Sequence, residues 1–137
     1  MKCKNSEIYE FNPIVYPFRL WVGNKLSYDE VCGNFYALST EMEKMDFTLE
    51  SYEADRFSVV TCYPVCSKED GFIGILCDIH KPELFTVGKI AHEASHITDF
   101  LSDRLGINGF NFNDGEARAY FTEWAADCIW EVKTNRF

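Results

Sequence analysis

The chain has 137 residues, 47% of them hydrophobic and 16% aromatic, which suits one packed domain and excludes a disordered chain. Lys and Arg number 13 against 22 Asp and Glu, for a formal charge of −9, so the chain lacks the electrostatic footprint of a nucleic-acid or anionic-membrane binder. No apolar run approaches the roughly 18 residues of a transmembrane helix, and Met1 to Glu10 holds no apolar core of a secretory signal, so a cytoplasmic protein is expected.

The elements follow in chain order. Ile14 to Val22 (IVYPFRLWV) is aromatic and β-branched and reads as a strand broken near Pro17. Ser27, with Glu30 three residues later, forms a capping box that opens a helix from Tyr28 to about Met45. Arg56 to Tyr63 and Phe72 to Ile79 read as strands, with Pro64 to Gly71 as the hairpin loop between them. Pro82 suits the first turn of a long helix, Glu83 to about Leu105, closed by Gly106. Its apolar stripe is Val87, Ile90, Ala91, Ala94, Ile97, Leu101 and Leu105. A loop, Ile107 to Asn113, leads to a last helix from about Asp114 to Lys133, with the stripe Ala117, Phe121, Trp124, Ala125, Cys128 and Val132. The fold class is therefore α+β in a single domain: an N-terminal helix and a small, mostly antiparallel sheet, then two helices.

Six cysteines stand at Cys3, Cys32, Cys62, Cys66, Cys77 and Cys128. Cys62 and Cys66 are spaced more loosely than a zinc-ribbon pair, and no second pair completes four ligands. Small buried thiols in a reducing compartment are the expectation.

The segment that carries chemistry is Ile90 to Phe100, IAHEASHITDF. His92-Glu93-Ala94-Ser95-His96 is an HExxH on a predicted helix, and shuffled chains of this composition show that motif in on the order of 0.4% of cases. Histidines at i and i+4 stand one turn apart on one face, so both rings reach one ion. Glu93 is rotated by about 100° from His92 and suits a general base holding the attacking water. The histidine face lies away from the apolar stripe and is free to line a cleft. A catalytic zinc needs a third protein ligand, and the HxxGxxH extension is absent, so a carboxylate must supply it. Glu116, twenty residues after His96, is the first candidate. It also fits the third residue of a capping box begun at Asn113. Glu123 is the reserve.

His92-Glu93-x-x-His96 followed twenty residues later by Glu116 resembles the gluzincin branch of the zincin metallopeptidases, including the thermolysin-like enzymes. Ile90-Ala91 and Thr98-Asp99 around the motif are also similar, although Asp99 sits one residue closer to the second histidine. The likeness spans about Thr86 to Asp127. It implies a zincin core, a small sheet over the HExxH helix followed by a helix bearing the glutamate ligand, in a compact, minimal version. It also implies zinc held by His92, His96 and Glu116.

Other residues carry two readings each. Asp99 suits an acceptor for a ligand histidine, a cap partner or a solvated surface charge, and Asp127 continues the glutamate face toward the same use. Tyr120, four residues after Glu116, is either an oxyanion donor or core packing with a polar tip. His80 is expected at a strand end or on the surface, and Trp21, Trp124 and Trp130 in packing. Two functions follow. One is a zinc metallopeptidase acting on a peptide or protein, with Glu93 as base and the Phe72 to Ile79 strand edge binding substrate by strand addition. The other is a non-catalytic binding or inhibitor protein on the same scaffold, although a purely structural metal site has no use for Glu93.

Overall fold

Alternation of apolar side chains builds a six-stranded sheet in the first of two units, Met1–Phe85 and Thr86–Phe137, in a computed structural model that describes residues 7–106 and 115–134. The strands are β1 (Ile8–Phe11), β2 (Arg19–Asn24), β3 (Phe35–Leu38), β4 (Lys44–Met45), β5 (Val60–Ser67) and β6 (Ile73–Ile79), in the order β1-β2-β6-β5-β3-β4. Only β2 and β6 run parallel; every other pairing is antiparallel. Two short helices, α1 (Tyr28–Asn34) and α2 (Leu49–Asp55), complete the unit. The fold is α+β with a mostly antiparallel sheet, as expected.

β6 is buried on both faces, which explains its near-continuous apolar run. Leu76 joins Trp21, Val31, Phe35, Tyr52 and Val65 in one cluster, so α1 and α2 cover that face. Ile75, Cys77 and Ile79 point the other way and are buried too. Trp21 meets Phe35 edge-on at 5.0 Å and donates its indole N–H to Glu10 at 2.9 Å. β5 tolerates Pro64 in its middle because the β3 ladder stops at Val65 and Pro64 needs no N–H there.

Several boundaries differ from the sequence reading. The strand expected from Ile14 is β2 and begins only at Arg19, since Ile14 takes a left-handed φ of 70° and is exposed with Val15 between two prolines. The capping box at Ser27 and Glu30 is present, but α1 ends after seven residues. Gly33 and Asn34 weaken it, Phe35 is already extended, and the chain turns into the β3–β4 hairpin. β1 and α2 were not anticipated; Thr48 caps α2 by accepting from Ser51 N–H. Pro82 opens only a short 3-10 turn, Pro82–Leu84. The long helix α3 (Val87–Leu105) instead starts at Thr86, whose hydroxyl accepts from Lys89 N–H, and ends at Gly106 with φ 65°. The last helix, α4, spans Gly115–Thr134. The expected loop Ile107 to Asn113 lies outside the described residues. Phe72 to Ile79 offers no edge for strand addition, because β6 pairs with β2 on one side and β5 on the other. Among the described residues no helix is long and apolar enough to cross a membrane.

Gly74 lies opposite Arg19 where β2 and β6 run parallel, and a Cβ there would overlap the Arg19 carbonyl oxygen. Gly33, within α1, has open space around its Cα. Gly74→Ala should therefore destabilise the protein by about 2 kcal/mol or more, and Gly33→Ala should stabilise it by about 0.5–1 kcal/mol. Urea unfolding of both variants checks the pair; a Gly74→Ala midpoint equal to wild type would mean the strands are not so close.

Candidate functional site

The second unit consists of α3 and α4, whose buried residues are Ile90, Ala94, Ile97, Thr98 and Leu101 on one and Phe121, Ala125, Cys128, Ile129 and Val132 on the other. Val87, Ala91 and Ala117, assigned to the stripes from sequence, are exposed instead. Two polar contacts fix how the helices face each other. The Thr98 and Thr122 hydroxyls are 2.7 Å apart, and Arg118 pairs with Asp99 at 2.8 Å. The helices thus run antiparallel, with His96 at the level of Phe121 to Trp124 and His92 at that of Ala125 to Cys128.

His92 and His96 are both exposed and converge as the i, i+4 spacing requires. Their ring centroids are 4.6 Å apart with planes at 80°, and the two Nε2 atoms are 3.1 Å apart. Two nitrogens bound to one tetrahedral zinc at 2.0–2.1 Å would lie about 3.3 Å apart, so the donor atoms and their spacing fit that ion. Glu93 is half-buried and turned about 60° from His96 around the axis, at the margin of the histidine face.

The carboxylates are placed differently from the sequence expectation. Glu116 is exposed and sits about 7–12 Å along the helix beyond the level of His96. Glu123 lies at the level of Ile97, beside the pair in height. Among the described residues no group of three or more His, Cys, Asp or Glu side chains converges to hold a metal ion. The structure brings the two histidines together and does not bring Glu116 to them; Asn113, the other half of its capping box, lies outside the described residues. Asp99 is engaged by Arg118, not by a histidine. Asp127 borders an apolar groove with Val87, Ile90, Ala91, Ala126 and Trp130. Tyr120 is 66% exposed, which removes the core-packing reading. Cys128 is buried, and burial, aided by Glu131 and Asp127, pushes its thiol up to about 12.

A second polar cluster, in the first unit, was missed by sequence reasoning. Asp78 on β6 is fully buried. The Tyr52 hydroxyl lies 2.6 Å from Asp78 Oδ2 and 3.0 Å from the Leu26 carbonyl oxygen. One phenolic proton cannot serve both acceptors. Both contacts are hydrogen bonds when Asp78 carries its own proton and donates it to Tyr52, which then donates to Leu26. Burial accordingly raises the Asp78 carboxyl to about 7, against the opposing hydrogen bonds from Tyr52 and the Leu26 backbone. His80 is not at the surface: its side chain is 3% exposed, Nε2 lies 3.0 Å from the Thr61 hydroxyl, and Nδ1 lies 3.8 Å from Asp78 Oδ1. Neither Nδ1 nor Oδ1 has a hydrogen-bond partner. Burial, then the Arg56 charge, lowers the His80 imidazole below its ordinary value. The only sequence signal for this cluster was one Asp inside an apolar strand.

No protein-family model, curated protein or solved structure matches the chain. The zincin likeness thus rests on the motif and on the paired histidines.

The Asp78 proton gives a pH dependence of known sign. The folded state binds a proton that the unfolded carboxyl has released above about pH 4, so stability falls as pH rises from about 4 through about 7, by at most about 4 kcal/mol. His80 acts oppositely: its folded form resists protonation, so it costs stability as pH falls below the ordinary histidine range. Asp78→Asn keeps the shape and an amide donor for Tyr52 but does not titrate. Its stability relative to wild type should rise between pH 5 and pH 8 in urea titrations; a constant difference would mean that Asp78 is ionised throughout.

Proposed function

We propose that the chain is a zinc-dependent hydrolase that cleaves amide bonds in a peptide or protein. The observation that supports this reading is the 3.1 Å approach of His92 and His96 Nε2 on a helix that also carries Glu93 between them. The two imidazoles would hold the ion, with a carboxylate of α4 as third ligand: Glu123 by its height beside the pair, Glu116 by the family spacing. Zinc, when bound, supplies a Lewis acid that acidifies water and polarises a carbonyl. Glu93 takes the proton of the attacking water and passes it to the leaving amine. Its position about 60° from His96 around the helix axis, at the margin of the histidine face, suits a base better than a ligand. Tyr120, exposed on α4 within about one turn of the level of His96, is the hydroxyl donor for the developing oxyanion.

A binding or inhibitor protein on the same scaffold is the second reading. The exposure of both histidines and the lack of a converging third ligand among the described residues favour it.

Purified protein should carry about one zinc per chain after dialysis against a weak chelator, measured by elemental analysis. Metal-free, well-folded protein would remove the hydrolase reading. Glu123→Ala and Glu116→Ala, compared by zinc titration, assign the third ligand to whichever variant loses affinity.

Glu93→Gln keeps shape and hydrogen-bonding reach but removes the base. On a quenched peptide library its activity should fall by roughly 10²–10⁴-fold with zinc content unchanged. Full activity in that variant means that Glu93 is not the base. If neither protein cleaves any peptide and both bind one macromolecular partner equally, the binding reading replaces the catalytic one.

A further inference from the structure

We propose that Cys62 and Cys77 form a redox-active dithiol, closing to a disulfide across β5 and β6 when the protein meets a small-molecule disulfide. The register places the two residues directly opposite each other. The kind of position follows from the ends of the ladder. His80 N–H donates to the Val59 carbonyl at 2.9 Å, and Ser67 N–H donates to the Phe72 carbonyl at 2.8 Å. Hydrogen-bonded pairs alternate along an antiparallel ladder, so Thr61/Asp78, Tyr63/Leu76 and Val65/Gly74 are hydrogen-bonded pairs and Cys62/Cys77 is not. Pro64 opposite Ile75 falls in the same class, where its missing N–H leaves the β5–β6 ladder intact.

Residues in such a pair have Cα atoms about 4.5 Å apart and side chains on the same face, within the roughly 4.4–6.8 Å that a disulfide requires. Hydrogen-bonded neighbours on either side hold the pair in register. Cys66, on the same face of β5, stands four residues along, about 13 Å away, and is out of reach of Cys77. Both residues are thiols in the structure. Cys62 is half-buried and Cys77 is fully buried, which orders the chemistry. Cys62 as thiolate attacks one sulfur of the incoming disulfide and expels the first small thiolate. Cys77 as thiolate then attacks the Cys62 sulfur and expels the second. Two protein thiols lose two electrons and two protons; the small disulfide gains both and leaves as two thiols.

The experiment uses the full chain, treated with excess oxidised glutathione, denatured, alkylated and mapped by mass spectrometry. Two of the six thiols should resist alkylation. A peptide containing Cys62 and Cys66 should be joined to one containing Cys77, with Lys68 as the cleavage point between them. The link should survive in Cys66→Ser and vanish in Cys62→Ser. The linked protein should unfold a few degrees higher than the reduced form and return to it with dithiothreitol. A link that persists in Cys62→Ser overturns the assignment. So does full alkylation of all six thiols after both oxidised glutathione and the smaller oxidant diamide, since together they exclude poor access as the cause.

Discussion

A carboxylic acid in the interior of the first unit constrains most of what surrounds it. Asp78 occupies a central strand, away from water, and charging it there costs more than any single hydrogen bond returns. The Tyr52 hydroxyl and the Leu26 backbone offer it hydrogen bonds that offset only part of that cost. Tyr52 brings α2 onto the sheet, and the Leu26 backbone brings in the segment that leads to the Ser27 cap of α1. Three distant parts of the chain thus meet where the Tyr52 hydroxyl contacts both the Asp78 carboxyl and the Leu26 carbonyl. The tyrosines respond to the same environment: burial, then Asp78, holds the Tyr52 phenol far above its ordinary value, and burial with the Asp55 contact does the same for Tyr63. Both remain donors at any working pH.

The second unit is organised by hydroxyls and one ion pair. Thr98 and Thr122 each also donate within 2.9 Å of a carbonyl one turn earlier, so their mutual contact shares two protons among three acceptors. This small polar seam adds a directional contact, the two hydroxyls 2.7 Å apart, to the buried apolar packing that holds α4 against α3. Arg118 and Asp99 lie closer to solvent and contribute direction more than energy.

How legible was this in the sequence? The histidine pair was, because i and i+4 on a helix is a local geometry that spacing fixes. So was the Ser27 box. The class and the mostly antiparallel sheet followed from the order of apolar runs. The end of α1 was not legible: Tyr36, Ala37 and Leu38 suit a helix as well as a strand, and pairing with Val65 and Cys66 thirty residues away decided the matter. Asp78 looked like an ordinary polar residue in a strand, since its partner Tyr52 lies 26 residues earlier in a helix that sequence reasoning did not find. The height of the α4 carboxylates relative to the histidines was not legible, because the contacts between Thr98 and Thr122 and between Asp99 and Arg118 leave no periodic trace.

The sheet ends on β4, a strand of two exposed residues, Lys44 and Met45. Lys44 holds its ammonium 5.7 Å from the centre of the Tyr36 ring. Met42, just before β4, takes a left-handed φ of 63°. An incoming strand therefore finds a ladder too short to template on, a cation to desolvate and a backbone kink at one end. A chain with 47% hydrophobic residues and buried β-branched strands carries a real hazard of edge-to-edge polymerisation, and on this side the fold blocks it by brevity.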